Sequence, residues 1–348
     1  MRDVLEPVAA WLGQGRRVAV GTVVATWGSA PRAVGSCMAV SDDGGLAGSV
    51  SGGCVETAVV QAAREVLAGA PPRLLRFGVA DETAWAVGLA CGGSIEVFVE
   101  TLEPSVFASL REAVRRDEPL ALATVIAGPP SELGRHAVLG AGGPATGLLD
   151  GAWRAAAAAP LADALSTSRP LRVPVEGGEL FVDVLRPLPT LVVVGGVHIA
   201  VALVALARTL GFRTVVVDPR PAFANPERFP HADRIESAWP DEALKALGLT
   251  SATAVAVLTH DPKLDDPALR AALPSAAFYV GALGSKNTQA KRRQRLLEAG
   301  LTEAQVDRLR APIGLDLGGR SPEEIALSVM AEVVAARHGR APARAAKA

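Results

Sequence analysis

Val4, Leu5, Val8, Trp11 and Leu12 recur at intervals of three and four, which predicts an amphipathic helix over residues 3–14. The pattern then becomes a β-branched run, Arg17-Val18-Ala19-Val20-Gly21-Thr22-Val23-Val24, which predicts a buried strand. Glycine, serine and proline punctuate residues 26–53. Helical spacing returns over 55–67, and 95–100 reads as a strand. The pattern weakens over 105–187, where it supports a helix at 105–116 and strands at 120–126 and 180–185. The alanine tract 155–159 favours helix by propensity. Pro187 and Pro189 then break the chain.

Beyond that break the rhythm is regular. Strands are predicted at 191–194, 214–217, 254–258 and 278–280, and helices at 198–210, 242–247, 267–273, 286–299 and 323–338. Alternating strands and helices imply right-handed crossovers and a parallel sheet. Ser321-Pro322-Glu323-Glu324 carries a capping serine, a proline at the first helical position and an acid three residues on, so the last helix has a defined start. The expected fold class is α/β: an N-terminal α/β domain over 1–104, an intervening α+β segment over 105–187 belonging to the same lobe, and a Rossmann-like domain with a parallel sheet over 188–338. Residues 339–348 read as a loose tail.

Composition narrows the function. Charged residues are 20% of the 348, hydrophobic ones 49%, and the net charge is −1, so substantial cores are expected and phosphate-driven nucleic-acid binding is not. Three cysteines are too few for a disulfide scaffold. No apolar run reaches the roughly 18 residues of a membrane span, and residues 1–17 lack the charged head, apolar core and small-residue cleavage site expected of a secretory signal. The expectation is a cytoplasmic protein without a membrane span.

Candidate chemistry lies in the turns. Val194-Gly195-Gly196-Val197-His198-Ile199-Ala200 joins a strand to a helix in the frame of a dinucleotide-binding turn. Val197 replaces the middle glycine, and its branched side chain obstructs the close approach of a pyrophosphate. Asp218 ends the next strand, about 20 residues after Gly195, where an acid meets a ribose hydroxyl or simply forms a turn before Pro219. His260, Gly281, Gly284, Ser285 and Asp316 fall in loops after later strands, where open α/β sheets bind ligands. Ser285 and Lys286 at a helix start suit a phosphate, or a tight connection with a surface lysine.

Three turns rich in small residues lie in the first hundred positions: Gly28-Ser29-Ala30-Pro31-Arg32; Gly48-Ser49-Val50-Ser51-Gly52-Gly53-Cys54-Val55-Glu56; and Cys91-Gly92-Gly93-Ser94. The second precedes a helix, where successive N–H groups form an anion nest and the dipole favours a thiolate at Cys54. Glu56 suits that dipole but opposes the thiolate. Cys54 and Cys91 each adjoin a Gly-Gly pair, and each is either a reactive thiol or a small packed hydrophobe. No second Cys or His stands at zinc-ligand spacing from either. Cys37 reads as packing.

These strings, with Thr259-His260-Asp261, residues 279–285 and 312–326, resemble the XdhC/CoxI family of xanthine dehydrogenase accessory factors. The resemblance implies a molybdenum cofactor-binding protein that protects the cofactor while a cysteine desulfurase supplies a terminal sulfur. It then delivers the cofactor to a molybdenum hydroxylase client of the xanthine dehydrogenase or CO dehydrogenase type. It implies a chaperone more than an enzyme, and by fold analogy a homodimer. Cys54 and Cys91 are the implied sulfur or molybdenum contacts. Ser51, Gly52, Gly53, Cys54, Glu56, Gly92, Gly93, Gly195, Gly196, His198, Asp218, His260, Gly281, Gly284, Ser285 and Asp316 are the candidate cofactor-binding residues. No direct protein cage for a metal is expected. Glycine nests would hold the pterin phosphate, and a cleft between the domains would shelter the cofactor. Two other readings stay open: an NAD(P)-dependent oxidoreductase using the Rossmann-like turn, and a sulfur-relay protein carrying a persulfide.

Overall fold

The computed structural model describes residues 1–340 except 30–31, 79–92, 141–142 and 144–145. The chain divides into two compact units, Met1–Pro187 and Leu188–Ala348.

The first unit opens with α1 (Leu5–Gly13), followed by β1 (Val18–Trp27), β2 (Cys37–Ser41), β3 (Leu46–Gly48), α2 (Glu56–Leu67), β4 (Arg73–Phe77) and β5 (Ser94–Thr101). It continues through α3 (Pro104–Arg116), β6 (Leu120–Ala127), β7 (His136–Gly140), β8 (Thr146–Gly147), α4 (Gly151–Thr167), β9 (Leu171–Val175) and β10 (Gly178–Leu185). Among the described residues these strands form two five-stranded sheets, ordered β3-β2-β1-β5-β4 and β8-β7-β6-β10-β9. Their described pairings are antiparallel.

Period-two alternation builds four layers from these strands. Ala19 and Val23 of β1 and Ile95, Val97 and Val99 of β5 face α2, while Val24 and Phe98 turn the other way and meet Ile126 and Phe181 of the second sheet. Ala121, Ala123 and Val125 of β6 and Leu180 and Val182 of β10 then carry α4 on the far side. Gly21 lets α2 press close, because a Cβ there would come within 2.7 Å of Val59. Strands β2 and β3 fall within the stretch that reads as irregular from its glycines and serines. They are short pieces, β2 paired onto β1 with Val18 opposite Ser41, and β3 onto β2 with Val40 opposite Leu46.

A buried polar pair sits between the two sheets. His136 Nε2 lies 3.1 Å from Glu100 Oε2, an ion-pair contact without the alignment of a hydrogen bond, and Nδ1 lies 3.1 Å from Thr124 Oγ1. Burial disfavours the charged imidazole, but the Glu100 carboxylate outweighs it and raises the His136 pKa above its ordinary 6.5.

The second unit runs β11 (Thr190–Val194), α5 (His198–Thr209), β12 (Arg213–Val217), β13 (Arg234–Glu236), α6 (Pro240–Leu247), β14 (Thr253–Val257) and α7 (Pro262–Ala272). It ends with β15 (Tyr279–Ala282), α8 (Lys286–Glu298), α9 (Glu303–Val306), β16 (Leu309–Arg310) and α10 (Pro322–Arg337). Among the described residues its strands form a six-stranded parallel sheet in the order β13-β12-β11-β14-β15-β16, the doubly wound order that reverses at β11. The parallel α/β expectation therefore holds. Helix α10 starts at the full capping box of Ser321 and Glu324. Helix α7 starts five residues before the expected Pro267, because Asp261 accepts from Lys263 N–H and Pro262 takes the first turn. Among the described residues, no helix is long and apolar enough to cross a membrane.

The His136–Glu100 pair generates a pH test. A histidine whose folded pKa exceeds the unfolded value stabilises the fold fully below the unfolded pKa, and that contribution is lost as pH rises through the folded pKa. His136→Gln should lose this pH dependence and, by leaving Glu100 buried and unpaired, cost about 3 kcal/mol. Urea melts of parent and variant, run from below the ordinary histidine pKa to well above it, measure both effects.

Candidate functional site

In the first unit the site is built on the link between β3 and α2. Gly48 ends β3 with φ +74°, and a Cβ there would strike Cys37 O at 2.3 Å, so only glycine turns the chain at this point. Val50 and Val55 are fully buried and anchor the two ends of the following loop in the core beneath α2. Between them Gly52 (φ +84°) and Gly53 (φ +131°) lie exposed with open space around them. Glycine is needed there for the left-handed backbone, not for room.

This backbone turns its amides inward, and the anion they meet belongs to the chain. Glu56 Oε1 accepts from Ser49 Oγ (2.7 Å) and from the amides of Val50 (3.3 Å), Ser51 (2.8 Å) and Gly52 (3.0 Å). Oε2 accepts from Ser51 Oγ (2.6 Å) and Gly53 N–H (2.8 Å). Ser51 Oγ in turn accepts from the amides of Cys54 and Val55, both at 3.1 Å. Partial burial opposes the charge on Glu56, but the hydroxyls of Ser51 and Ser49 and the amides prevail and lower its pKa to about 2. The nest exists where the sequence places it, and Glu56 fills it.

The small-residue turns meet here. Arg32 Nε donates to Ser49 O (3.3 Å) and its Nη2 reaches Asp3 at 3.2 Å, tying the first turn to the loop. A Cβ on Gly93 would come within 2.8 Å of both Trp27 O and Ser29 O, so the third turn packs against the first. Cys54 is a half-buried free thiol at the loop's end. Cys37 is fully buried in β2, with Thr22 Oγ1 at 3.6 Å and Gly35 O at 3.3 Å, and burial pushes its thiol pKa up. Cys91 and Gly92 lie outside the described residues.

In the second unit Gly195 (φ +105°) lets the turn after β11 pass Thr259, whose Cγ2 would be 2.4 Å from a Cβ. Gly196 abuts Phe223 O in the same way, at 2.3 Å. Asp218 is fully buried, and its carboxylate accepts from Gly196 N–H (2.9 Å), Arg220 N–H (3.0 Å), Arg220 Nε (2.8 Å) and Arg220 Nη2 (2.7 Å). Burial raises the pKa of this carboxyl, yet Arg220 and the two amides hold it below the usual value. These four bonds use the carboxylate's acceptor capacity, so a ribose hydroxyl enters only by displacing Arg220. Arg220 also stacks 4.0 Å over the Phe223 ring, and Arg228 Nη2 donates to Gly196 O (3.0 Å). Val197 is the N-cap of α5 and gives it no side-chain cap. His198 is exposed at the first turn, beside a cavity of about 500 Å3 that Val201, Arg228 and Glu323 also line.

The remaining loops rest on buried ionic contacts. Thr259 donates to Asp265, whose other oxygen receives Arg292 Nη2 at 2.6 Å, and Arg292 Nη1 donates to Leu283 O at 3.1 Å. This fully buried pair joins the loop of His260, itself exposed, to the loop of Gly284 and Ser285. Ser285 accepts from Thr288 N–H and caps α8. Gly281 packs within reach of Tyr279 and Ile313. Glu332 accepts from Tyr279 OH (2.6 Å) and Gly314 N–H (2.8 Å), anchoring the loop in which Asp316 accepts from Gly318 N–H. Among the described residues, no group of three or more His, Cys, Asp or Glu side chains is placed to hold a metal ion.

Comparison with known proteins agrees with these motifs. Residues 191–333 match the XdhC Rossmann domain, and residues 11–78 match the XdhC and CoxI family. This chain belongs to the XdhC and CoxI family. A Bacillus subtilis (strain 168) protein, named as a probable xanthine dehydrogenase subunit, is 29% identical over 91% of this chain and 92% of its own length. The molybdenum cofactor insertion chaperone PaoD of Escherichia coli (strain K12) is 29% identical over 97% of this chain and 88% of its own. A solved structure from Bacillus halodurans, described as a xanthine dehydrogenase, shares the fold with a TM-score of 0.77 at 24% identity, covering 98% of this chain and 97% of its own.

Within this XdhC and CoxI chain, sequence reasoning missed Arg220, Arg228, Asp265, Arg292 and Glu332. Arg220 had a local signal, standing two residues after Asp218. The others are ordinary charged residues of helices and loops until the fold brings them beneath the turns. The saturation of Asp218 makes a specific test of the dinucleotide reading. Val197→Gly alone should leave affinity for NAD(H) and NADP(H) within about twofold of the parent, because the ribose acceptor stays occupied. Calorimetric titration checks this, and a large gain from that single change would show that Val197 was the sole obstacle.

Proposed function

We propose that this chain is a molybdenum cofactor chaperone. It binds the cofactor, shields it, supports its sulfuration and delivers it to a molybdenum hydroxylase of the xanthine dehydrogenase type. The observation that carries this reading is the linked set of glycine-rich turns in the first unit, whose middle loop ends at the half-buried thiol of Cys54. Family membership and the likeness to a molybdenum cofactor insertion chaperone support it. A thiolate is a soft ligand, suited to molybdenum or to sulfur transfer. We assign Cys54 that contact, with Cys91 as its second candidate, and a cysteine desulfurase as the sulfur donor. The protein acts in the cytoplasm as a homodimer.

The loops at the carboxyl ends of β11, β14 and β15 are where an open parallel sheet takes a ligand. His198 and His260, exposed on two of these loops, supply hydrogen bonds to the pterin or its phosphate. The nicotinamide reading is weaker, because Asp218 is saturated and Val197 stands at the turn.

Purification from a molybdenum-replete host, followed by oxidation and fluorescence assay, should detect bound molybdopterin. Cys54→Ala should retain or deliver several-fold less cofactor with an unchanged circular dichroism spectrum, as expected when a soft ligand is removed from an otherwise intact site. Equal retention and delivery by parent and variant would remove Cys54 from the mechanism.

A further inference from the structure

Glu56 stands among the residues expected to touch the cofactor, yet its carboxylate points into its own loop. Six donors converge on its two oxygens: four successive amides, from Val50 to Gly53, and the hydroxyls of Ser49 and Ser51. An ionised carboxylate offers about four lone-pair sites, so this one is fully engaged. The same amides form the cradle that an external phosphate would need. One anion occupies it, and a second would have to enter against the first one's charge.

We propose that Glu56 is a built-in counter-anion that closes this nest and positions Cys54, and that it is not a ligand of the cofactor. The path to the cysteine is short. Glu56 receives the Ser51 hydroxyl, and Ser51 Oγ receives the amide of Cys54. Val50 and Val55 fix the ends of the loop in the core, so the carboxylate has to order only the exposed middle, where Gly52 and Gly53 have no packing of their own. Without the carboxylate, the amides of Val50, Ser51 and Gly53 lose their acceptor, and only the Gly52 N–H keeps one, at Ser49 Oγ. The cofactor's phosphate is then held elsewhere, and what the loop offers the cofactor is sulfur. This last step rests on the chaperone reading, whereas the closed nest and the placement of Cys54 do not.

Hydrogen exchange on the full-length, cofactor-free protein tests the proposal. In Glu56→Ala the peptide spanning 49–55 should exchange about tenfold faster or more than in the parent, as expected for a loop opened locally. Iodoacetamide should alkylate Cys54 several-fold faster as the loop opens. Excess acetate should return both measurements toward parental values in Glu56→Ala by refilling the nest, a rescue that a loss of packing alone would not show. Glu56→Gln keeps the side chain's shape but replaces one acceptor by a donor, and should open the loop with little response to acetate. Unchanged exchange in Glu56→Ala overturns the positioning role. Slower exchange of the parent peptide on adding inorganic phosphate overturns the claim that the nest is closed. Lack of retained molybdopterin in the parent overturns the chaperone reading alone and leaves these measurements standing.

Discussion

Backbone amides that converge on one point need an acceptor, and in this protein the acceptor is a carboxylate of the same chain. Amides that a glycine turn aims at one spot are not shared with a neighbouring strand, so a nest without an anion would leave several strong donors unmet. Glu56 meets that requirement for the loop between β3 and α2. Asp218 does so for the turn between β11 and α5, taking Gly196 N–H on one side and Arg220 on the other. In both places a turn that looks like an empty anion cradle is a closed one.

This constraint sorts the groups that remain for ligand chemistry. The loop's amides are spent on Glu56, while the Cys54 thiol at its end is free and half-buried. In the second unit the α5 start has no side-chain cap, and His198 and His260 stand exposed on neighbouring turns. Beneath them the Asp265–Arg292 pair and Glu332 hold the loops from inside. A buried ion pair adds little net stability when weighed against apolar replacements. Its value here lies in direction, since Arg292 ties the loop of Thr259 to the carbonyl of Leu283.

Long periodic segments were legible from the chain alone. The α5 and α10 faces, the β-branched strands of the parallel sheet and the capping box at Ser321 all carry local signals of the right period. Strands β2, β3, β4 and β9 were not legible. They are short, several are only partly buried, and pairing with a neighbour defines them more than any pattern of their own. The start of α7 was placed at Pro267, whereas Asp261 and Pro262 supply the real cap five residues earlier. Segment 105–187 showed no chemistry by eye, and it supplies the second sheet and the histidine of the buried pair with Glu100.

The order of residues determined which turns are rich in glycine, where the thiols stand, that the second unit alternates strand and helix, and which family's motifs the chain carries. These are properties of nearest neighbours and of short periods, and they survive without coordinates. The tertiary structure decided which acceptor each donor meets. Gly196 O accepts from an arginine 32 positions away and Gly314 N–H donates to a glutamate 18 away, and no local pattern encodes either pairing. Even Glu56, only a few residues from its amides, could be assigned to a ligand or to the loop until the backbone angles of Gly52 and Gly53 showed where those amides point. A hydrogen bond depends on distance and direction in space, and sequence separation carries neither.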